Sequence, residues 1–166
     1  METADILATT AEVSIGLAGF GGIVAGLGYR TRGEWSPDDR TRLLVMARIS
    51  LIVVFASLLP QVLSYFTTPV WRLSSALYLV PATYNLAHQA WINRRGVPEG
   101  YSWSIALLMG LIQLSIVVLL AVASSGFAPH DSEGVYVLAL LLMLLGAALL
   151  FSRLLATSFR ERPPAA

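Results

Sequence analysis

Six residues near the N-terminus fall on one helical face: Glu12, Gly16, Gly19, Ile23, Gly26 and Arg30. At about 100° per residue they lie within about 80° of one another. In order, the face presents an acid, two glycines, an aliphatic residue, a third glycine and a cation. In a homo-oligomer such a face can line a pore for ions. Glu12 would form an acidic ring at one mouth, Ile23 a hydrophobic constriction and Arg30 a basic ring at the other, and charged rings of this kind set ion selectivity. The glycines have a second reading. Ala18, Gly22 and Gly26 form a small-xxx-small series, which lets helices approach closely in lipid.

Glu12 needs an account under either reading. Counted from Ile6, it sits about 9 Å inside an apolar helix at 1.5 Å per residue. A carboxylate there is costly unless paired, wet or protonated. Gln61, preceded by Pro60, lies at a similar depth in the second apolar segment. The proline frees the carbonyl one turn back, at Ala56. One expectation is therefore a latch, with protonated Glu12 hydrogen-bonded to Gln61 or to that carbonyl. Arg72 is a further possible partner, although two residues into its helix it is expected to reach outward instead.

The third apolar segment is the most polar. Ser74, Tyr78, Pro81, Asn85, His88 and Gln89 share a face, with Trp71 and Trp91 at its ends. Gln113 of the fourth segment falls at the level of Pro81. Gln61, Asn85, His88 and Gln113 thus make a candidate polar seam. It would fix helix rotation or carry a ligand or proton along Asn85 and His88. No metal site and no cofactor are expected: there are no cysteines, and His88 is the one histidine in an apolar segment. Nor does a nucleophile and base pair emerge, so an enzyme is not expected. The fifth segment, nearly pure Leu, Ala, Val and Met, is expected at the lipid-facing periphery. Arg48 and Arg153 are expected to snorkel to headgroups.

The elements that must position these residues follow from composition. The chain has 166 residues, 56% hydrophobic and 13% charged, with mean hydropathy +0.70. Soluble domains carry about 25% charged residues, so the missing charge fits a surface that is mostly lipid. A formal net charge of +1 leaves no basic face for nucleic acid. All 11 basic residues are arginines, and without lysine Schiff-base chemistry is excluded.

A span needs about 20 apolar residues, and five segments qualify. The expected fold is an all-α integral membrane bundle in a single domain, 1–166, with helices near 6–28, 37–66, 69–93, 101–124 and 134–158. Ser36-Pro37-Asp38-Asp39 reads as a cap, a first-turn proline and first-turn acids. Thr68 and Pro69 are read as the cap and opening residue of the third helix. The loop arginines set the orientation. Arg30, Arg32, Arg40, Arg42, Arg94, Arg95, Arg160 and Arg162 fall in alternate connections or the C-terminal tail, while the remaining connections and the N-terminal tail hold none. Basic loops stay cytoplasmic, which places the N-terminus outside and the C-terminus inside. The first apolar run lacks a basic n-region and ends in arginines, so it reads as an anchor rather than a signal peptide.

Several runs carry a resemblance: Gly16-Leu17-Ala18-Gly19-Phe20-Gly21-Gly22 with Glu12 ahead of it, Trp35-Ser36-Pro37-Asp38-Asp39-Arg40 with Arg42-Leu43, Ser57-Leu58-Leu59-Pro60, and Trp71-Arg72-Leu73-Ser74-Ser75. Together they resemble a group of small, uncharacterised bacterial multi-span membrane proteins, over roughly the first 95 residues. The resemblance implies a topology and no activity; the expected location is the bacterial inner membrane. Two functional classes remain. One is a homo-oligomeric ion-conducting pore lined by the first helix, with membrane lipids around it. The other is a non-conducting scaffold or sensor that holds a cytoplasmic partner through the Arg-rich segment 29–42.

Overall fold

The computed structural model describes residues 3–32, 37–95, 103–126 and 132–158. They form five helices: α1 (Thr3–Arg32), α2 (Pro37–Ser64), α3 (Val70–Arg95), α4 (Trp103–Ser125) and α5 (Ser132–Ser158). Four contain segments long and apolar enough to cross a membrane: Thr3–Leu27, Arg40–Ser64, Trp103–Ser125 and Ser132–Ala156. α3 is long enough, at 26 residues, but its polar face lowers its apolar content below theirs.

Local chemistry sets the helix ends. At the close of α2, the amides of Phe66 and Thr67 both donate to the Leu63 carbonyl, at 2.9 and 3.0 Å. The chain reverses over 65–69, and the Leu73 amide donates to the Pro69 carbonyl at 3.1 Å. Pro69 is thus the cap of α3 and Val70 its first helical residue, one position later than the sequence reading. α4 closes on Gly126, whose φ of +80° is left-handed, the usual glycine stop. A Cβ there would lie 2.9 Å from the Arg72 guanidinium carbon. Arg72 is therefore laid against the end of α4, where a cation meets the negative end of the helix dipole. Gly126→Ala should cost about 1–2 kcal/mol from the left-handed backbone alone. A lowered thermal midpoint of the variant in detergent checks this.

α5 touches all four other helices. Each consecutive pair also packs together, whereas α1 touches neither α3 nor α4, and α2 does not touch α4, among the described residues. Helices α1 to α4 therefore wrap around α5. The Thr3 hydroxyl donates to the Glu133 carboxylate, joining the starts of α1 and α5. Arg48, early in α2, bonds Asn85, late in α3. Successive helices thus run up and down, and α3 traverses the bundle beside the others. Arg40, Arg42, Arg48, Arg94 and Arg153 gather at one end, and Arg72 lies at the other.

The central place of α5 corrects the expectation that it lies at the lipid-facing rim. Tyr136, Ala139, Leu140 and Ala147 are fully buried, with Met143, Leu150 and Leu154 nearly so. They form a stripe at three- and four-residue spacing that meets Val53, Ala56, Tyr78, Ile116 and Leu120. In lipid an inward leucine and an outward leucine are equally apolar, so hydropathy alone does not separate core from rim.

Candidate functional site

Two places bring together the residues singled out by the sequence. The first is the outer face of α1. Its buried side is made by Leu7, Thr10, Ala11, Ser14 and Ala25. Thr10 and Ser14 donate their hydroxyls to carbonyls of their own helix, Ile6 at 2.7 Å and Thr10 at 2.8 Å, so they sit inside without needing a neighbour. That buried side is roughly opposite the face carrying Glu12, Gly16, Gly19, Ile23 and Gly26. Glu12, Gly19 and Gly26 are exposed and Gly16 partly so, and Ile23 is 59% exposed. Arg30 lies in the last turn of α1, and its side chain is outside the described residues.

A Cβ at Gly16, Gly19, Gly22 or Gly26 would meet nothing within 4 Å. Helix packing inside the subunit therefore does not explain those glycines. The glycine that packs is Gly21, where a Cβ would overlap the Met46 methyl group on α2 and lie 3.6 Å from Leu43. The latch is also corrected. Glu12 takes part in none of the described hydrogen bonds. The Ala56 carbonyl released by Pro60 instead accepts a 2.6 Å bond from the Tyr136 hydroxyl. Gln61 is exposed, and its backbone carbonyl accepts from Ser64 at 2.6 Å. It stands apart from the rest of the polar seam.

The second place is a cavity of about 310 Å³ at the arginine-bearing end, between α2, α3, α4 and α5. It occupies the gap left because α2 and α4 do not touch. Asn85, His88 and Gln113 line it, joined by Arg42 and Arg48. Gln113 donates to the Ala82 carbonyl at 3.0 Å, tying α4 to α3. His88 is stacked between Tyr84 and Trp91, with ring centroids 6.0 and 6.2 Å away. Arg48 turns inward rather than snorkelling out. Its Nη2 donates to Asn85 Oδ1 at 2.6 Å, and its guanidinium carbon lies 5.8 Å from the Tyr84 ring centre, within cation–π reach. Arg42, in the segment 29–42, is 9% exposed and also faces the cavity; side chains 28–39 lie outside the described residues.

Sequence reasoning missed Tyr136, Met46 and the inward turn of Arg48. Tyr136 had a signal, as a hydroxyl-bearing ring in an otherwise apolar helix must find an acceptor. Arg48 had one too, since about 12 Å separate it from Arg40 along the helix. No group of three or more His, Cys, Asp or Glu side chains converges to hold a metal among the described residues. Compared with known proteins, the chain matches no family model, no curated protein and no solved structure.

Proposed function

We propose that this is a five-span membrane protein, N-terminus outside and C-terminus cytoplasmic in the bacterial inner membrane, that assembles as a homo-oligomeric ion pore with α1 beside the path. The observation that carries the reading is the unpartnered outer face of α1. An acid and four glycines point away from the subunit on a helix apolar enough to span. A carboxylate facing hydrocarbon is strongly disfavoured, so a water-filled path or another copy at this face is the favourable arrangement. Five spans are supported by the layout of α3. Its Ser74, Ser75, Tyr78 and Asn85 are buried, while Leu77, Val80, Tyr84 and Trp91 face out. A helix that turns its polar side inward can cross lipid although its mean composition is polar. The gathering of arginines at one end supports the orientation.

The test is electrical. Purified protein in planar bilayers should conduct cations, and Glu12→Gln should move the potassium-to-chloride permeability ratio several-fold towards unity with assembly intact. Silence from folded protein, or unchanged selectivity in the variant, would overturn the pore. The runner-up is a non-conducting sensor or scaffold subunit, and the cavity inside each subunit favours it over a bare scaffold. A monomer in lipid that captures a cytoplasmic partner through 29–42 would support that alternative.

A further inference from the structure

The cavity at the arginine end has a chemical polarity of its own, and no described side chain of α1 lines it. Among the described residues its walls hold Arg42 and Arg48 and no Asp or Glu. From Ala106 to Ile116 it runs along α4 for about 15 Å at 1.5 Å per residue. Asn85 and Arg48 share it with other polar residues, Arg42, His88 and Gln113 among them, and with an apolar wall in which Met109, Ile112 and Met143 stand.

The charge at the wall says what kind of group is wanted there. Arg48 can only donate, so the Asn85 atom it meets is the oxygen, and the Asn85 nitrogen faces elsewhere. Asn85 is 8% exposed. Its Nδ2 is buried with no hydrogen-bond partner, and so is Nε of Arg48. Arg48 brings a cation to the cavity wall and no described Asp or Glu lines it, so an anionic group is the complementary occupant. The volume of 310 Å³ falls at the small end of ligand sites, about 300–1,000 Å³. The apolar wall favours a ligand with a hydrocarbon body.

We propose that this cavity binds a single-headed anionic amphiphile, a carboxylate or phosphate on an alkyl chain, with its head on Arg48 and its chain against α4 and α5. Such chemistry is offered by bilayer lipid and by free fatty anions alike. Gly146 makes the site testable. It lines the cavity, and a Cβ there would meet nothing within 4 Å. Gly146→Leu therefore starts its side chain in open space and extends it into the cavity, and it replaces a poor helix former with a good one.

The experiment measures radiolabelled dodecanoate bound to the full chain in phosphatidylcholine nanodiscs, with empty nanodiscs subtracted. Saturable binding is expected, about tenfold weaker in Arg48→Gln and lost in Gly146→Leu, whose thermal midpoint should be no lower than wild type. Unlabelled dodecyl phosphate should compete, while dodecanol and inorganic phosphate should not. Replacing the host lipid with phosphatidylglycerol assigns the source: a tenfold loss of dodecanoate binding marks the bilayer lipid as occupant, and unchanged binding marks a free amphiphile. Competition by dodecanol as strong as by dodecyl phosphate would reduce the cavity to an apolar void and overturn the proposal. So would binding that survives in Gly146→Leu, or displacement by inorganic phosphate alone. None of these outcomes bears on conduction at α1.

Discussion

Tyr136→Phe should destabilise the protein by about 1–3 kcal/mol, the cost of leaving a buried acceptor unanswered. The change removes one oxygen and no packing volume, so the loss reports the 2.6 Å bond to the Ala56 carbonyl. That carbonyl is short of a donor because Pro60, four residues on within α2, has no N–H. A cycle with Pro60→Ala isolates the cause. An alanine amide can close the ordinary helical bond, so Tyr136→Phe should cost markedly less in that background. Tyr78→Phe is the control. The two rings meet edge to face at 6.0 Å, but the Tyr78 hydroxyl is buried with no hydrogen-bond partner. Its removal should be neutral or mildly stabilising. Unfolding in detergent, followed by circular dichroism, reads the wild type and all four variants. Equal losses for the two tyrosines would show that the hydroxyl bond is not what matters.

The second large effect concerns the α1 glycines, and it separates folding from assembly. Gly19→Leu and Gly22→Leu enter open space in the subunit, so each variant should fold with near wild-type stability. If copies meet along this face, the same leucines hold the helices apart and the oligomer should fall to monomer. Gly21→Leu should do the reverse and damage the subunit itself. Its Cβ would collide with Met46, which is fully buried, and overpacking of this kind costs about 1–3 kcal/mol. Particle mass in lipid nanodiscs, read beside thermal stability, distinguishes the two outcomes.

The sequence made the helical architecture plain because long apolar runs, Pro37, Pro69 and the arginine clusters are strong local signals. The α1 face was readable too, since one acid in an apolar helix marks an angle. What stayed hidden was which side of each helix turns inward. Inside a membrane the apolar contrast that sorts faces in water is absent, and small or hydroxyl-bearing residues carry the information instead. Tyr136, Ala139 and Gly146 held it on α5, and the leucines around them masked it. For the glycines the ambiguity was different. Six lie in Gly16–Gly28, and only the neighbour met by each one distinguishes Gly21, which packs on Met46, from those that meet nothing within 4 Å. The inward turn of Arg48 depended on Asn85, a partner 37 positions away in sequence, and no local pattern announces such a pair.

The central claim is that copies of the chain meet along the outer face of α1. The chain has no cysteine, so single introduced thiols report contacts without background. Gly19→Cys, treated in membranes with a short bis-maleimide, should yield a covalent dimer as the main product. Leu111→Cys is the comparison, on α4, which does not touch α1, at a position 62% exposed; it should remain monomeric. Cross-linking at Gly19 no greater than at Leu111 would contradict the assembly and the pore that rests on it.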